Sequence, residues 1–158
     1  MKKVRKNRGF SLVELLIVVA IIGIIAAIAI PNLLNAIQRG KQKRTMADIR
    51  SVGEAVEIYM VDFNQPPQVN GNVSGLSTYL EPDYIKQLPE VDGWNQPLKY
   101  AYVNDNYTIA SGGKDRSNPD LNQCNASYCN SQGNCTDFDA DIVFANGQFI
   151  CKPEGLQK

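Results

Sequence analysis

Residues 1–30 read MKKVRKNRGFSLVELLIVVAIIGIIAAIAI, a short basic leader that runs directly into a long apolar stretch. The leader, residues 1–9, carries five Lys and Arg residues and no acid. The apolar stretch from Phe10 to Ile30 has the length of roughly 20 residues that a helix needs to cross a bilayer. Since positively charged flanks stay on the cytoplasmic side of a membrane, the sequence predicts one spanning helix followed by an exported segment.

One acid, Glu14, interrupts the apolar stretch. An unpaired charge in a spanning helix costs about 2.5–3.5 kcal/mol on insertion scales, so such a residue indicates a function and a partner. Gly9, the small residue at the junction, precedes the apolar stretch, whereas a secretory signal places its cleavage site after one. Cleavage after Gly9 would keep the helix and create an ammonium group at Phe10, one helical turn from Glu14. The new amino terminus is therefore the natural partner of the Glu14 carboxylate.

The chain resembles the type IV prepilin family over one ordered pattern, Arg8-Gly9-Phe10-Ser11-Leu12-Val13-Glu14-Leu15-Leu16, followed by Gly23 and Pro31. The resemblance implies an α+β pilin fold, in which a long N-terminal α-helix packs on a small antiparallel β-sheet. It also implies cleavage after Gly9, N-methylation of Phe10, and assembly in which Glu14 reaches the terminal amine of a neighbouring subunit. Pro31 ends the part of the helix that is assigned to the membrane and the filament core.

Periodicity and helix breakers organise the rest of the chain. Ile49, Val52 and Val56 lie three or four positions apart, which predicts that the helix continues as an amphipathic half. The prolines at 66 and 67 end it, because proline cannot continue a helix.

Asn146-Gly147 favours a two-residue type I′ turn between the last two strands. The predicted strands are 98–103, 107–111, 141–145 and 148–151. The predicted segments are the leader 1–9, the membrane and filament-core helix 10–31, the amphipathic half 32–64, a helix-to-sheet loop 65–97, and the sheet with its acidic and cysteine-rich loop 98–158.

Charge and composition argue against several functional classes. The chain has 16 cations and 16 acids, and loss of the five leader cations leaves a formal charge of −5. An acidic surface argues against nucleic acid as the primary partner. The chain has no histidine, no phosphate-binding glycine loop, and no Ser or Cys beside a recognisable general base. We therefore expect a protein that is not an enzyme.

Within the prepilin family, the downstream part of the chain is most similar to the major pseudopilins of type II secretion. The similar stretches are Leu80 to Pro89, 92–97 leading to Tyr100, 107–115 and 139–142. Two acidic loops frame a Ca²⁺ site in that subfamily. The resemblance therefore implies calcium ligands at Ser111, Asp115, Asp139 and Asp141. Calcium takes about six to eight oxygen ligands from flexible loops, which suits this set. The alternative is that these residues form turns and bind nothing.

A cysteine-rich segment departs from the subfamily pattern. Residues 116–138 carry three cysteines where a shorter glycine-rich loop is usual. The chain's four cysteines are Cys124, Cys129, Cys135 and Cys151. An oxidising compartment favours two disulfides, with all three pairings open. Zinc is the rival interpretation, although the spacing lacks close cysteine pairs and the chain lacks histidine. A disulfide closing a loop of about 15 residues contributes roughly 3 kcal/mol, so disulfides could replace calcium as the stabilising device.

A basic segment follows the membrane half of the helix, at Arg39, Lys41, Lys43 and Arg44. Two interpretations stay open for it. The segment is a solvated face beside lipid headgroups, or it pairs with acids of a neighbouring subunit, such as Asp48, Glu54 or Glu57. Exposed ion pairs contribute only about 0–1 kcal/mol each, so they would tune the register of assembly, and the packing of apolar helices would drive it.

The resemblance implies a structural subunit of a type II secretion pseudopilus, which exports proteins across the outer membrane. The implied partners are other copies of the chain, the prepilin peptidase and methylase, the inner-membrane assembly platform and minor pseudopilins. The implied location is the bacterial inner membrane with the head in the periplasm, and then the assembled pseudopilus. One alternative is a major or minor type IV pilin of a surface fibre for adhesion, motility or DNA uptake. Another is a membrane-anchored binding module that never polymerises.

Overall fold

The computed structural model describes residues 9–103, 105–121, 129–130 and 132–154. The predicted leader up to Arg8, the turn residue Asn104 and the cysteine Cys124 lie outside the described residues. The chain divides into two compact units, Met1–Ala36 and Ile37–Lys158.

One long helix, α1, runs from Leu12 to Phe63. In the first unit its large apolar side chains are exposed. Among the described residues, α1 is the one helix that is long and apolar enough to cross a membrane. Pro31 lies inside it, and the helical backbone continues through this position. The helix ends just before the two prolines at 66 and 67, as their sequence position predicts.

In the second unit, one face of α1 forms a wall of the hydrophobic core. Its buried residues recur every three or four positions, as the apolar periodicity predicts for an amphipathic helix. They are Gln42, Thr45, Ile49, Val52, Gly53, Ala55 and Val56. The ring of Phe144 packs directly over Gly53, where a Cβ would overlap it. The core is completed by residues of the helix-to-sheet segment and the sheet, including Leu76, Leu80, Trp94, Leu98, Tyr100, Tyr107 and Ile109.

The helix-to-sheet segment contains the short helix that residues 76–80 predict and also a strand that we did not predict. A two-residue strand, β1 (Gly71–Asn72), pairs antiparallel with the next strand. A short 3-10 helix (Val73–Leu76) and a one-turn helix, α2 (Ser77–Leu80), follow it. The strand is too short to show any alternation of apolar and polar residues, so no sequence pattern could have indicated it.

The sheet contains five further strands: β2 (Lys99–Val103), β3 (Asn106–Ser111), β4 (Asn134–Cys135), β5 (Ile142–Ala145) and β6 (Gln148–Pro153). Their spatial order is β1-β2-β3-β5-β6-β4. All pairings are antiparallel except that of β4 with β6, which is parallel. The sheet is therefore mixed, because the cysteine-rich segment adds a short parallel strand at its edge.

The hairpin between β5 and β6 has the predicted turn. Asn146 and Gly147 have φ values of 46° and 84°, the left-handed conformations that a type I′ turn requires at both central positions. The long helix and the small sheet together confirm the predicted α+β, pilin-like fold class.

Candidate functional site

The N-terminal end of α1 forms a capping box. Ser11 precedes the first helical residue, and its Oγ accepts a hydrogen bond from the Val13 N–H at 3.3 Å. In return the Ser11 N–H donates to Glu14 Oε2 at 2.9 Å. This reciprocal arrangement satisfies backbone donors that the first turn of any helix leaves without partners. The signal for it, Ser-x-x-Glu ahead of an apolar run, is present in the sequence, and our sequence reasoning missed it.

The capping box gives the Glu14 carboxylate a hydrogen-bond partner within its own chain. In the single chain the carboxylate already binds a backbone N–H, so it is not an isolated charge. A carboxylate has two oxygens with about four acceptor sites, so the capping bond leaves room for an ammonium group. Gly9 and Phe10 lie before the helix and are exposed, so cleavage between them would not disrupt it. The predicted processing site therefore lies just before the helix, and the predicted assembly residue Glu14 lies in its first turn.

A second site links α1 to the sheet through the buried carboxylate of Asp92. Its Oδ1 accepts hydrogen bonds from the backbone N–H groups of Trp94 and Gln96, both at 2.8 Å. Its Oδ2 accepts one from the Ser111 hydroxyl at 2.7 Å. Asp92 is 3% exposed, and these three bonds compensate for its burial. The Asp92 turn is thereby tied to the end of β3.

The same turn also holds the helix. The Gly93 N–H donates to Thr45 Oγ1 at 2.8 Å, and the Trp94 indole N–H donates to Gln38 Oε1 at 2.7 Å. A Cβ on Gly93 would overlap the backbone of Lys41 in α1, so only glycine fits this close approach. The Asp-Gly-Trp sequence is therefore a clamp between helix and sheet.

The structure gives two of the four predicted calcium ligands, Ser111 and Asp139, partners within the protein. The Ser111 hydroxyl is bound to Asp92 and also accepts the Gly113 N–H at 3.2 Å. Asp139 faces Lys114, with an Oδ1 to Nζ distance of 3.6 Å. The sequence could not reveal these partners, because only the folding of the loops brings them close to Ser111 and Asp139.

Asp115 and Asp141 do lie close together, and Asp120 joins them. Ser117 connects the first two, since its N–H donates to Asp115 Oδ1 at 2.9 Å and its hydroxyl lies 3.5 Å from Asp141 Oδ1. The Asp120 N–H donates to Asp141 Oδ2 at 3.3 Å. Burial raises the pKa of Asp141, and the negative charges of Asp115 and Asp120 raise it further. Sequence reasoning missed Asp120, which comes from the cysteine-rich insertion.

Side chains alone do not complete a metal site in the described part of the chain. No group of three His, Cys, Asp or Glu residues there converges closely enough to hold a metal ion. A calcium ion beside Asp115 and Asp141 would therefore need carbonyl oxygens of the loops for most of its ligands.

The cysteines of the described region are oxidised. Cys129 and Cys135 form a disulfide across six positions of sequence, and Cys151 is also disulfide-bonded. The fourth cysteine, Cys124, lies outside the described residues. Cys135 belongs to β4, so the first disulfide holds the edge strand that pairs with β6.

Comparison with known proteins agrees with this architecture. Two family models match the chain: the prokaryotic N-terminal methylation motif over residues 4–30, and type II secretion system protein G over residues 32–127. The first match covers Gly9, Phe10 and Glu14, and the second covers most of the described residues of the second unit. The resemblance to prepilins and to type II secretion pseudopilins is thus confirmed.

Individual relatives give the same result. The type II secretion system core protein G of Vibrio cholerae is 35% identical over 118 residues, which cover 69% of this chain and 80% of the relative. The protein of the same name from Escherichia coli is 30% identical over 129 residues, covering 73% and 87%, and that of Pseudomonas aeruginosa is 27% identical over 126 residues, covering 70% and 88%. No solved structure matches the chain significantly. The chain therefore belongs to the type II secretion system protein G family, the major pseudopilins that serve as structural subunits of the secretion pseudopilus.

Proposed function

We propose that this chain is stored in the inner membrane as a precursor, is cleaved after Gly9, and polymerises through contacts between the Glu14 carboxylate and the Phe10 ammonium of a neighbouring copy. The observation that carries the proposal is the acid placed one turn from the processing site within an otherwise apolar, exposed helix. Prepilin peptidase would cut the leader and methylate Phe10. The inner-membrane platform and minor pseudopilins would be its assembly partners.

The pairing selects axial register because of its energetics. An ion pair in low dielectric offsets its desolvation when the geometry is good, whereas a buried charge without its partner costs about 3–5 kcal/mol. The capping bond from the Ser11 N–H would keep Glu14 compensated while the subunit waits in the membrane. On assembly the carboxylate would gain the ammonium as its charged partner. A neighbour at any other axial position would leave that charge uncompensated and would be rejected.

The role is structural, and we expect no catalytic activity. The head would face the periplasm, since the basic leader holds the N-terminal end of the spanning helix in the cytoplasm. Addition of subunits from the inner membrane would extend the pseudopilus and move folded proteins through the outer membrane.

The test separates processing from assembly. In cells that make pseudopili from this chain, Glu14→Ala should be cleaved normally, as read from the mass of the mature chain, but should give no filaments in the sheared fraction. Glu154→Ala is the matched control, because Glu154 is an exposed acid at the far end of the described chain. Normal filaments from Glu14→Ala would refute the pairing mechanism.

A surface fibre is the second candidate function. The Cys129–Cys135 disulfide, in a segment that the secretion subfamily usually keeps short, favours it. Deleting the gene distinguishes the two functions. Loss of secreted enzymes with unchanged surface fibres supports the pseudopilus, and loss of long surface fibres with unchanged secretion supports the pilin.

A calcium role also stays a proposal, with a changed set of ligands. Asp115 and Asp141, with Asp120 nearby, suit a cation, because burial and then the charges of Asp115 and Asp120 raise the pKa of Asp141, and a bound cation would offset that cost. A ligand present at 100 times its Kd stabilises the native state by about 2.7 kcal/mol, which a thermal midpoint measured with calcium and with a chelator would reveal. The calcium-dependent rise should disappear in Asp115→Asn and persist in Asp139→Asn, whose carboxylate pairs with Lys114. An equal rise in wild type and Asp115→Asn would refute this ligand set.

A further inference from the structure

Four cations cluster on α1 near the start of the second unit, and we term them the basic collar: Arg39, Lys41, Lys43 and Arg44. Three of them are exposed, and Lys41 is half-buried. The sequence has no acid between Glu14 and Asp48, so the basic collar concentrates charge of one sign. It begins two positions after Ile37, which ends a long run of exposed large apolar side chains.

The basic collar surrounds α1 on the sides that the rest of the second unit leaves uncovered. On the covered side, Gln42 and Thr45 are buried, and Gln38 and Thr45 bind the Asp92 turn. Successive residues of a helix are about 100° apart. The first and third cations of the collar therefore lie on one flank of the covered side, and the second and fourth lie on the other flank. All four lie within roughly 7.5 Å along the helix axis, so they form a ring and not a stripe.

Most of the charge of the basic collar is not neutralised within the second unit. Arg44 lies 3.5 Å from Asp48, and it shares a surface cavity with Glu81 and Glu90. Among the residues that the structure describes, no ion pair includes any of the other three cations. These three therefore have charge to offer to an anionic partner.

We propose that the basic collar binds the headgroups of anionic phospholipids in the membrane in which the subunit is stored. The inference rests on the proposed function, because it needs the apolar part of α1 to span the inner membrane. Side chains of a helix leave it tilted toward its N-terminal end, so the side chains of the collar start in the direction of Ile37. The headgroup layer on each side of the hydrocarbon is roughly 5–8 Å thick, which matches the extent of the collar along the axis.

A lipid surface fits the ring better than a folded partner does. Headgroups surround a spanning helix and reach both of its flanks at once, whereas one protein surface contacts one side. Each Lys or Arg near an anionic membrane surface strengthens attachment about fivefold. The bound lipids hold the stored subunit at one depth, and they are released when the subunit leaves the membrane.

Energy transfer from Trp94 measures the lipids beside the basic collar. Trp94 is the chain's one tryptophan, and its indole binds Gln38, one position before Arg39. The full chain is reconstituted in phosphatidylcholine vesicles with increasing fractions of pyrene-labelled phosphatidylglycerol or, in a parallel series, pyrene-labelled phosphatidylcholine. At equal fractions, transfer should be greater to the phosphatidylglycerol probe. Added salt should reduce this excess, because it screens attraction between exposed charges.

Two double variants of equal net charge isolate the contribution of the collar. Arg39→Gln with Lys43→Gln should raise the fraction of phosphatidylglycerol probe that gives half-maximal excess transfer by about fivefold to 25-fold. Lys86→Gln with Lys152→Gln is the matched control, because both lysines are exposed and lie outside α1. It should change that fraction less than twofold. The leader is the same in all variants, so its cations do not affect the comparison.

The outcomes distinguish this inference from the proposed function. The inference is overturned if the two probes give equal transfer, or if the collar variant and the control variant have the same half-maximal fraction. Glu14→Ala should keep the lipid preference whether or not it forms filaments, so a failure of the pairing mechanism is read separately. A chain that does not float with the vesicles would overturn both the lipid contact and the storage in the membrane.

Discussion

Gly93→Ala should weaken the clamp between α1 and the sheet. The new Cβ would overlap the Lys41 backbone, so the Asp92 turn would have to move away from the helix. That movement would break the bonds from Gly93 to Thr45 and from the Trp94 indole to Gln38. Each of the two hydrogen bonds contributes about 1 kcal/mol net, and overpacking adds about 1–3 kcal/mol, so the free energy of unfolding should fall by about 3–5 kcal/mol.

Urea unfolding of the full chain in detergent measures this change. Trp94 is the chain's one tryptophan and lies in the clamp, so its fluorescence reports directly on the affected contact. Gly40→Ala is the matched control, because Gly40 lies within α1 and a Cβ there meets nothing within 4 Å. It should raise stability by up to about 1 kcal/mol, since alanine is the better helix former. An unchanged unfolding midpoint for Gly93→Ala would refute the clamp.

Three further predictions concern the disulfide, the acidic loop and the hairpin. Replacing Cys129 and Cys135 together by serine should lower the free energy of unfolding by about 2–3 kcal/mol in the chain-entropy model, and equal urea midpoints with and without this disulfide would contradict its stabilising role. The raised pKa of Asp141 means that the folded chain binds its proton more tightly than the unfolded chain, so this group's contribution to stability is full below its ordinary pKa and is lost as pH rises through the folded value. In the presence of a chelator, the Asp141→Asn variant should therefore lose less stability than the unmodified chain between acidic and neutral pH. Identical pH profiles of the two proteins would refute the assignment. Gly147→Ala should cost about 1 kcal/mol or more, because Gly147 has a φ of 84°, and the midpoint of urea unfolding measures it.

Much of the fold could be predicted because its signals are local. The helix, its proline stop and the Asn146-Gly147 turn each depend on a few neighbouring residues, whose backbone preferences do not need the rest of the chain. The two-residue strands β1 and β4 could not be predicted, because each is too short to carry a pattern and exists only by pairing with a longer strand. The parallel pairing of β4 likewise depends on where the cysteine-rich segment returns to the sheet.

The residues of the candidate sites also fall into those that local sequence indicates and those that only tertiary contacts reveal. The proposed roles of Gly9, Phe10 and Glu14 come from sequence, because they depend only on order along the chain: a small residue, a new amine, and an acid four positions later. The acidic loop was only partly found, since the partners of Ser111 and Asp139 come from distant segments.

What the sequence by itself determined was the long apolar helix, the N-terminal methylation motif and the family, because hydropathy, charge order and local motifs are properties of neighbouring residues along the chain. Only the tertiary structure decided that Asp92 binds Ser111, that Gly93 must be a glycine beside Lys41, and that Asp120 joins Asp141. Each of these contacts joins segments that are far apart in sequence or in different loops. Their geometry depends on how the helix, the loops and the sheet fill one core, and close packing of that core leaves little freedom for any other arrangement.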